Sequence, residues 1–192
     1  MDRRVARTKR LLAQALLELV NEQPFEAITI RDITDRADIG YATFFRHYNG
    51  KDDLMLEMFT QVVADLESRN ETRIDHSFER EGYLYFKHIA DNRALYRSIL
   101  DSPAFSRKLR DHIARIVLNQ IVENHTDELE LSEIPLDIAA HHIVTSMLGL
   151  ADWWLSNDQT VTVAQMAQFY ERLVVQPTWH ALGLSNTIDR NI

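Results

Sequence analysis

The chain has 192 residues, a formal net charge of −8, 45% hydrophobic residues and no cysteine, enough apolar content to bury a core in one domain or two small ones. Five glycines and four prolines are too few for a many-stranded sandwich or barrel, which needs turn signals every 8–12 residues or so, and a helical class leads. The lack of cysteine excludes disulfides, thiolate metal sites and a cysteine nucleophile and fits a reducing cytoplasm; with no cleavage-site pattern near the N-terminus and no apolar run of 18 residues, neither a signal peptide nor a membrane span is expected.

Charge is unevenly spread: residues 1–54 hold nine Lys/Arg against nine Asp/Glu, whereas residues 55–192 hold twelve against twenty. Arg3, Arg4, Arg7, Lys9 and Arg10 form a cationic arm of the kind that attracts phosphates, although basic N-termini also serve solubility alone. From Arg4 to Asn21, the residues Val5, Leu12, Ala15, Leu16 and Leu19 recur at helical spacing and predict a first helix with one inward stripe, ended by Gln23-Pro24. Thr29 and Asp32 stand at capping-box spacing, in the variant with Asp for Glu, and Ile28 and Ile33 occupy hydrophobic-staple positions, so a second helix starts at Ile30. Ala37-Asp38-Ile39-Gly40 then supplies a turn in which Asp38 tolerates the left-handed conformation, and a third helix runs from Tyr41 to Tyr48. Two short helices joined by a tight turn and packed on a longer one make a helix-turn-helix, whose second helix enters the major groove. An ordinary helical hairpin is the plain alternative.

After Asn49-Gly50 a long connecting helix opens with Lys51, Asp52 and Asp53, acids that suit its N-terminal dipole. Further helices are predicted over 77–90, 92–100 and 103–124, the last capped by Ser102-Pro103, followed by an acidic loop over 125–133. A helix over 135–156 is apolar on more than one face, and a final helix starts at the Thr162–Gln165 capping box and is ended or kinked by Pro177. Gly149, in mid-helix, suggests close approach by another backbone or by a ligand. The apolar excess of residues 135–156 and 162–176, including Ile143, Gly149, Met166, Tyr170 and Val174, predicts a homodimer with a four-helix seam.

Residues 29–54, TIRDITDRADIGYATFFRHYNGKDDL, resemble the DNA-binding region of TetR-family transcriptional regulators. That pattern is a Thr-capped second helix, a turn and a recognition helix of the form (V/I)-S-x-G-T-L-Y-x-H-F, then a Lys followed by acids and Leu. Ile39, Thr43, Phe44, His47, Tyr48, Lys51 and Leu54 match it in kind and spacing, whereas Asp38 replaces the turn Gly, Gly40 the cap Ser, and Phe45 a Tyr whose hydroxyl reaches phosphate. The resemblance implies an all-α protein with a three-helix helix-turn-helix domain over 1–50 and a helical effector-binding and dimerisation domain over 51–192. It implies that Thr29 both caps the second helix and reaches a phosphate, and that Arg31 reads guanine bidentately. Tyr41, Ala42 and Thr43 then face base edges, and His47 and Lys51 clamp the backbone, with Phe45, Tyr48, Arg3 and Arg4 completing the DNA-binding set.

The family's effector region implies a small-molecule site among Tyr83, Phe86, Tyr96, Phe105, Met147 and Trp153, although core is the plainer reading of any single aromatic. Glu79, Glu81 and Asp152 suit a cationic effector, with neutral aromatic or lipid-like compounds equally open. No nucleophile motif, phosphate-cradling Gly loop or H-E-x-x-H occurs, so no enzyme activity, cofactor or metal is expected; His141 and His142 are adjacent on a helix, point about 100° apart and cannot make a one-face metal pair. The expected function is a ligand-responsive repressor, a cytoplasmic homodimer on a pseudo-palindromic duplex. The competing reading is a TetR-like coactivator working through protein–protein contacts.

Overall fold

The structure, a computed structural model, describes residues 3–71, 78–125, 133–157 and 160–184. In chain order its α-helices are α1 (Arg3–Glu22), α2 (Ile30–Ala37), α3 (Tyr41–Phe44), α4 (Lys51–Glu71), α5 (Phe78–Asp91), α6 (Arg93–Leu100), α7 (Pro103–His125), α8 (Leu136–Ser156), α9 (Val163–Tyr170) and α10 (Gln176–Ala181), with a 3₁₀ turn at Phe25–Ala27. No strand occurs among the described residues, and no helix there is long and apolar enough to cross a membrane. Most of the expected acidic loop lies outside the described residues.

Packing divides the chain into two units, the first made of Met1–Val62 and Ala94–Ser106, the second of Val63–Arg93 and Arg107–Ile192. The first unit therefore runs past the boundary expected at residue 50, because later residues supply part of its core. Phe59 on α4 meets Tyr96 edge-on at 5.6 Å, and Phe105 at the start of α7 packs on Phe25 at 4.7 Å. Around them α1 buries Leu12, Leu16 and Leu19, and Ile28 and Ile33 close the α2 side.

Local sequence sets the α2–α3 geometry. The Thr29 side chain accepts from the Asp32 N–H at 3.1 Å, and the Asp32 carboxylate accepts from the Thr29 N–H at 2.8 Å, a complete capping box. Asp38 ends α2 at φ 52°, the left-handed conformation a short polar side chain accepts, and the Ile39 N–H reaches back to the Thr34 carbonyl at 3.0 Å. The third helix is shorter than predicted. After one α-turn it tightens into bonds from the Arg46 N–H to Thr43 (3.2 Å) and from the His47 N–H to Phe44 (2.9 Å), which carry Tyr48 inward beside the buried Phe44.

In the second unit α5 and α9 pack closely: a Cβ on Gly82 would lie 3.3 Å from the Ala167 backbone. Phe86 stands edge-on to Trp154 (5.8 Å) and to Tyr170 (6.1 Å), and Trp154 donates its Nε1–H to the Val161 carbonyl at 2.8 Å. Thr162 and Gln165 make the predicted capping box. The interruption expected at Pro177 takes the form of a π-helical segment, Glu171–Val175, before α10 resumes with the proline in its first turn. Proline has no N–H for the carbonyl four residues back, and the widened turn absorbs that loss. A Cβ on Gly149 would find nothing within 4 Å among the described residues.

Candidate nucleic-acid interface

The helix-turn-helix presents a mixed outer face. Arg31, Tyr41, Ala42, Phe45 and Arg46 are exposed, Thr43 and His47 half-buried, and Phe44 and Tyr48 buried. Arg46, absent from the sequence-based set, thus adjoins the expected base-facing residues as an exposed cation; its place beside Phe45 was the signal available. Arg3, Arg4, Arg7 and Arg10 are exposed on α1, whereas Lys9 is taken up by an ion pair with Glu57 at 2.6 Å.

Three of the residues expected at DNA have other engagements. The Thr29 hydroxyl donates to the Asp32 carboxylate at 2.7 Å, so its proton points into the cap rather than outward. The same hydrogen bonds hold the Asp32 carboxyl below its ordinary range. Tyr48 donates its hydroxyl to Glu57 at 3.1 Å and lies under Lys9, whose ammonium is 5.4 Å from the ring, so it joins α1, α3 and α4 instead of facing a groove. Burial, then the Glu57 carboxylate, pushes the Tyr48 phenol well up from its usual value.

Lys51 is the most fully engaged of the three. Its ammonium donates to the carbonyls of Phe25 (2.7 Å), Glu26 (3.0 Å) and Ile28 (2.7 Å) and sits 4.7 Å from the Phe25 ring centre. An ammonium has three donors, so this set leaves none for a phosphate. Burial lowers its pKa from the ordinary lysine value. The same 3₁₀ turn is held from its other side, where the Phe25 N–H donates to Ser98 Oγ at 2.7 Å and the Ser102 hydroxyl donates to the Glu26 carboxylate. Arg36, bidentate on Glu22 at 2.9 and 2.7 Å, ties α2 to α1. These bonds tie α2 and the residues after α3 to α1, α4 and the 3₁₀ turn.

The residues expected at the effector are divided between the two units. Phe86 is core of the second unit and Tyr96 and Phe105 core of the first, Tyr83 and Trp153 are exposed, and Met147 is half-buried. A different feature of the second unit is concave: an open groove of about 660 Å³ between α7 and α8, lined by Leu118, Arg115, Asp111, Ile138, His141 and Thr145 among others. The Thr145 hydroxyl oxygen is buried without a hydrogen-bond partner. Of the expected dimer residues, Ile143, Met166, Tyr170 and Val174 are buried inside the subunit and only Gly149 is exposed. The large apolar residues left open on these helices are Ile138, which lines the groove, Trp153, 51% exposed, Phe169, and Leu173, 66% exposed.

Two family models match this chain: one of bacterial regulatory proteins of the tetR family, over residues 12–58, and one of a transcriptional regulator C-terminal region, over residues 83–176. The HTH-type transcriptional regulator YxbF of Bacillus subtilis is 40% identical over 67 residues, which span 34% of this chain and 18% of that one. The dhaKLM operon transcriptional activator DhaS of Lactococcus lactis is 23% identical over 92 residues, 48% of each chain. The chain thus matches under half the length of both curated relatives. A solved TetR transcriptional regulator from Streptococcus agalactiae aligns with a TM-score of 0.60 at 25% identity, covering 90% of this chain and 96% of that one. Thermus thermophilus FadR, a TetR-family transcriptional repressor solved with lauroyl-CoA, aligns with a TM-score of 0.64 at 14% identity over 87% of this chain and 93% of its own, a likeness of fold.

Proposed function

The chain belongs to the TetR family of transcriptional regulators, and from that premise we propose that it is a ligand-responsive repressor, acting in the cytoplasm as a homodimer on a pseudo-palindromic DNA operator. The observation that carries this reading is the outer face of α2 and α3, where Arg31, Tyr41, Ala42, Phe45 and Arg46 stand open over a buried support of Ile33, Phe44 and Tyr48. Arg31 reads a guanine through its planar fork, Thr43 and Ala42 approach base edges, and Arg46, His47, Arg3 and Arg4 supply phosphate contacts. Two recognition helices related by a dyad then require two half-sites in a pseudo-palindrome.

Dimerisation uses the open apolar residues of α8 and the C-terminal helices: Gly149 and Trp153 four residues apart, and Phe169 and Leu173 likewise. The effector occupies the α7–α8 groove, whose volume of about 660 Å³ falls in the range of small-molecule sites. Ala114, Leu118 and Ile138 give it apolar surface, and Asp111, Arg115, His141 and the unpaired buried Thr145 hydroxyl give it polar groups, which together suit a ligand with an apolar chain and a polar, hydrogen-bonding part. Lauroyl-CoA, bound by the fold-related FadR, is of that chemical kind.

Selection of bound duplexes from a random DNA pool tests the reading. A pseudo-palindrome should emerge, with affinity that falls as salt rises because phosphate contacts release counterions. Arg31→Ala should cost about 1–3 kcal/mol and relax one base position. Absence of any salt-sensitive retention would leave only the protein-interaction reading. Transcription from the recovered operator decides sign: repression is expected, and a rise would place the chain with activators such as DhaS.

A further inference from the structure

The outer face of α3 carries two large apolar side chains that the fold does not use. Tyr41 and Phe45 lie four residues apart, their rings 5.2 Å between centres and edge-on at 64°, and they are 52% and 47% exposed. Phe44, wholly buried, backs the Phe45 ring at 5.5 Å, so the pair stands in a fixed direction rather than folding onto the surface. Arg31 on α2 and Arg46 in the turn after α3 are also exposed, which suits a polyanion opposite. Phe45 has neither donor nor acceptor and offers a phosphate nothing. Its binding contribution must come from apolar contact.

The major groove presents hydrogen-bond donors and acceptors at every base pair but one kind of apolar group, the thymine C5 methyl. We propose that the Tyr41–Phe45 pair is a specificity element that reads thymine methyl groups in each operator half-site, an inference that rests on the DNA-binding reading above. The ring edges and the methyl remove apolar surface from water together, so enclosing one methyl tightens binding about fourfold, the worth of one buried methylene. Cytosine has a hydrogen at C5, so the pair separates T·A from C·G at the contacted positions without a hydrogen bond.

The test removes only the methyl. The operator recovered from the random pool is resynthesised with deoxyuridine in place of thymidine, one position at a time, and titrated with the full chain and with a Tyr41→Ala/Phe45→Ala double variant whose helicity is checked by circular dichroism. At one or two positions per half-site, deoxyuridine should weaken wild-type binding about fourfold per methyl. The double variant should bind the thymidine duplex more weakly and then treat thymidine and deoxyuridine alike, so the two losses do not add. Equal wild-type binding at every position overturns the proposal while leaving DNA binding intact, and this arm needs no variant to fold. So does a folded double variant that keeps full discrimination. If the pool yields no retained duplex, the DNA-binding reading fails with it, and the aromatic pair is left to a protein partner.

Discussion

Lys51 shows how a single residue's place in a motif can be legible while its work is not. Spacing puts a lysine at the start of α4, but only the folded chain reveals three carbonyls of residues 25, 26 and 28 converging on its ammonium. Those carbonyls end a 3₁₀ turn directly before the Thr29 cap, so Lys51 fixes where α2 begins. Lys51→Ala should therefore lower stability by about 1–3 kcal/mol, the scale of lost hydrogen bonds to a charged group, seen as an earlier midpoint in urea. Its DNA affinity should fall without a change in the slope of log affinity against log salt, since no phosphate contact is removed. Arg46→Ala should behave oppositely, with stability kept and the slope shallower by about one. A Lys51→Ala variant of unchanged stability and reduced slope would return the residue to the phosphate backbone. Thr29 teaches the same lesson: its cap follows from the spacing to Asp32, whereas the direction of its hydroxyl proton is settled only by where the carboxylate ends up.

At the scale of elements, what is local was legible. Both capping boxes, the left-handed Asp38 and the serine–proline start of α7 depend on residues within one turn of each other, and sequence shows them directly. What depends on a distant partner was not. The stripe of Met166, Tyr170 and Val174 reads from periodicity as a face to be covered, yet periodicity does not say by what; α5, bringing Phe86 and Gly82, covers it within the subunit. Tyr96 and Phe105 are assigned to the first unit's core by Phe59 and Phe25, residues too far along the chain for spacing to connect. The close approach expected at Gly149 is found instead at Gly82. Gly149 has open space where a Cβ would stand, so Gly149→Ala should stabilise the subunit by about 0.8–1 kcal/mol of helix propensity. Gly82 faces the Ala167 backbone at 3.3 Å, so Gly82→Val should force α5 and α9 apart and cost about 1–3 kcal/mol. Thermal unfolding of both variants should move in opposite directions; a destabilised Gly149→Ala would restore the close approach first expected there.

For the whole molecule the decisive quantity is apolar surface that one chain leaves uncovered. Ile143, Met166, Tyr170 and Val174 are buried within the subunit, so the seam proposed above falls to Gly149 and the apolar residues left open. Trp153 and Leu173 remain about half or more exposed, at 51% and 66%, with Phe169 open on the intervening helix. Singly exposed apolar residues are ordinary on a protein surface, whereas Phe169 and Leu173 at i, i+4 spacing, with Trp153 open on another helix of the same unit, suit an interaction surface. A dimer that registers two recognition helices on DNA must also be rigid, which calls for an obligate interface of roughly 2,000 Å² or more. Leu173→Glu would bury a carboxylate at such a seam without a partner, yet it is harmless to the subunit, whose core that side chain does not enter. Sedimentation at micromolar concentration should show a wild-type dimer and a Leu173→Glu monomer of unchanged helicity, and the monomer should lose the cooperative preference for a full palindrome while still touching a half-site weakly. Met166→Glu is the control, since a charge at that wholly buried position should unfold the second unit rather than divide the dimer. A wild-type monomer would end the dimer reading; a Leu173→Glu dimer would keep it and move the seam elsewhere.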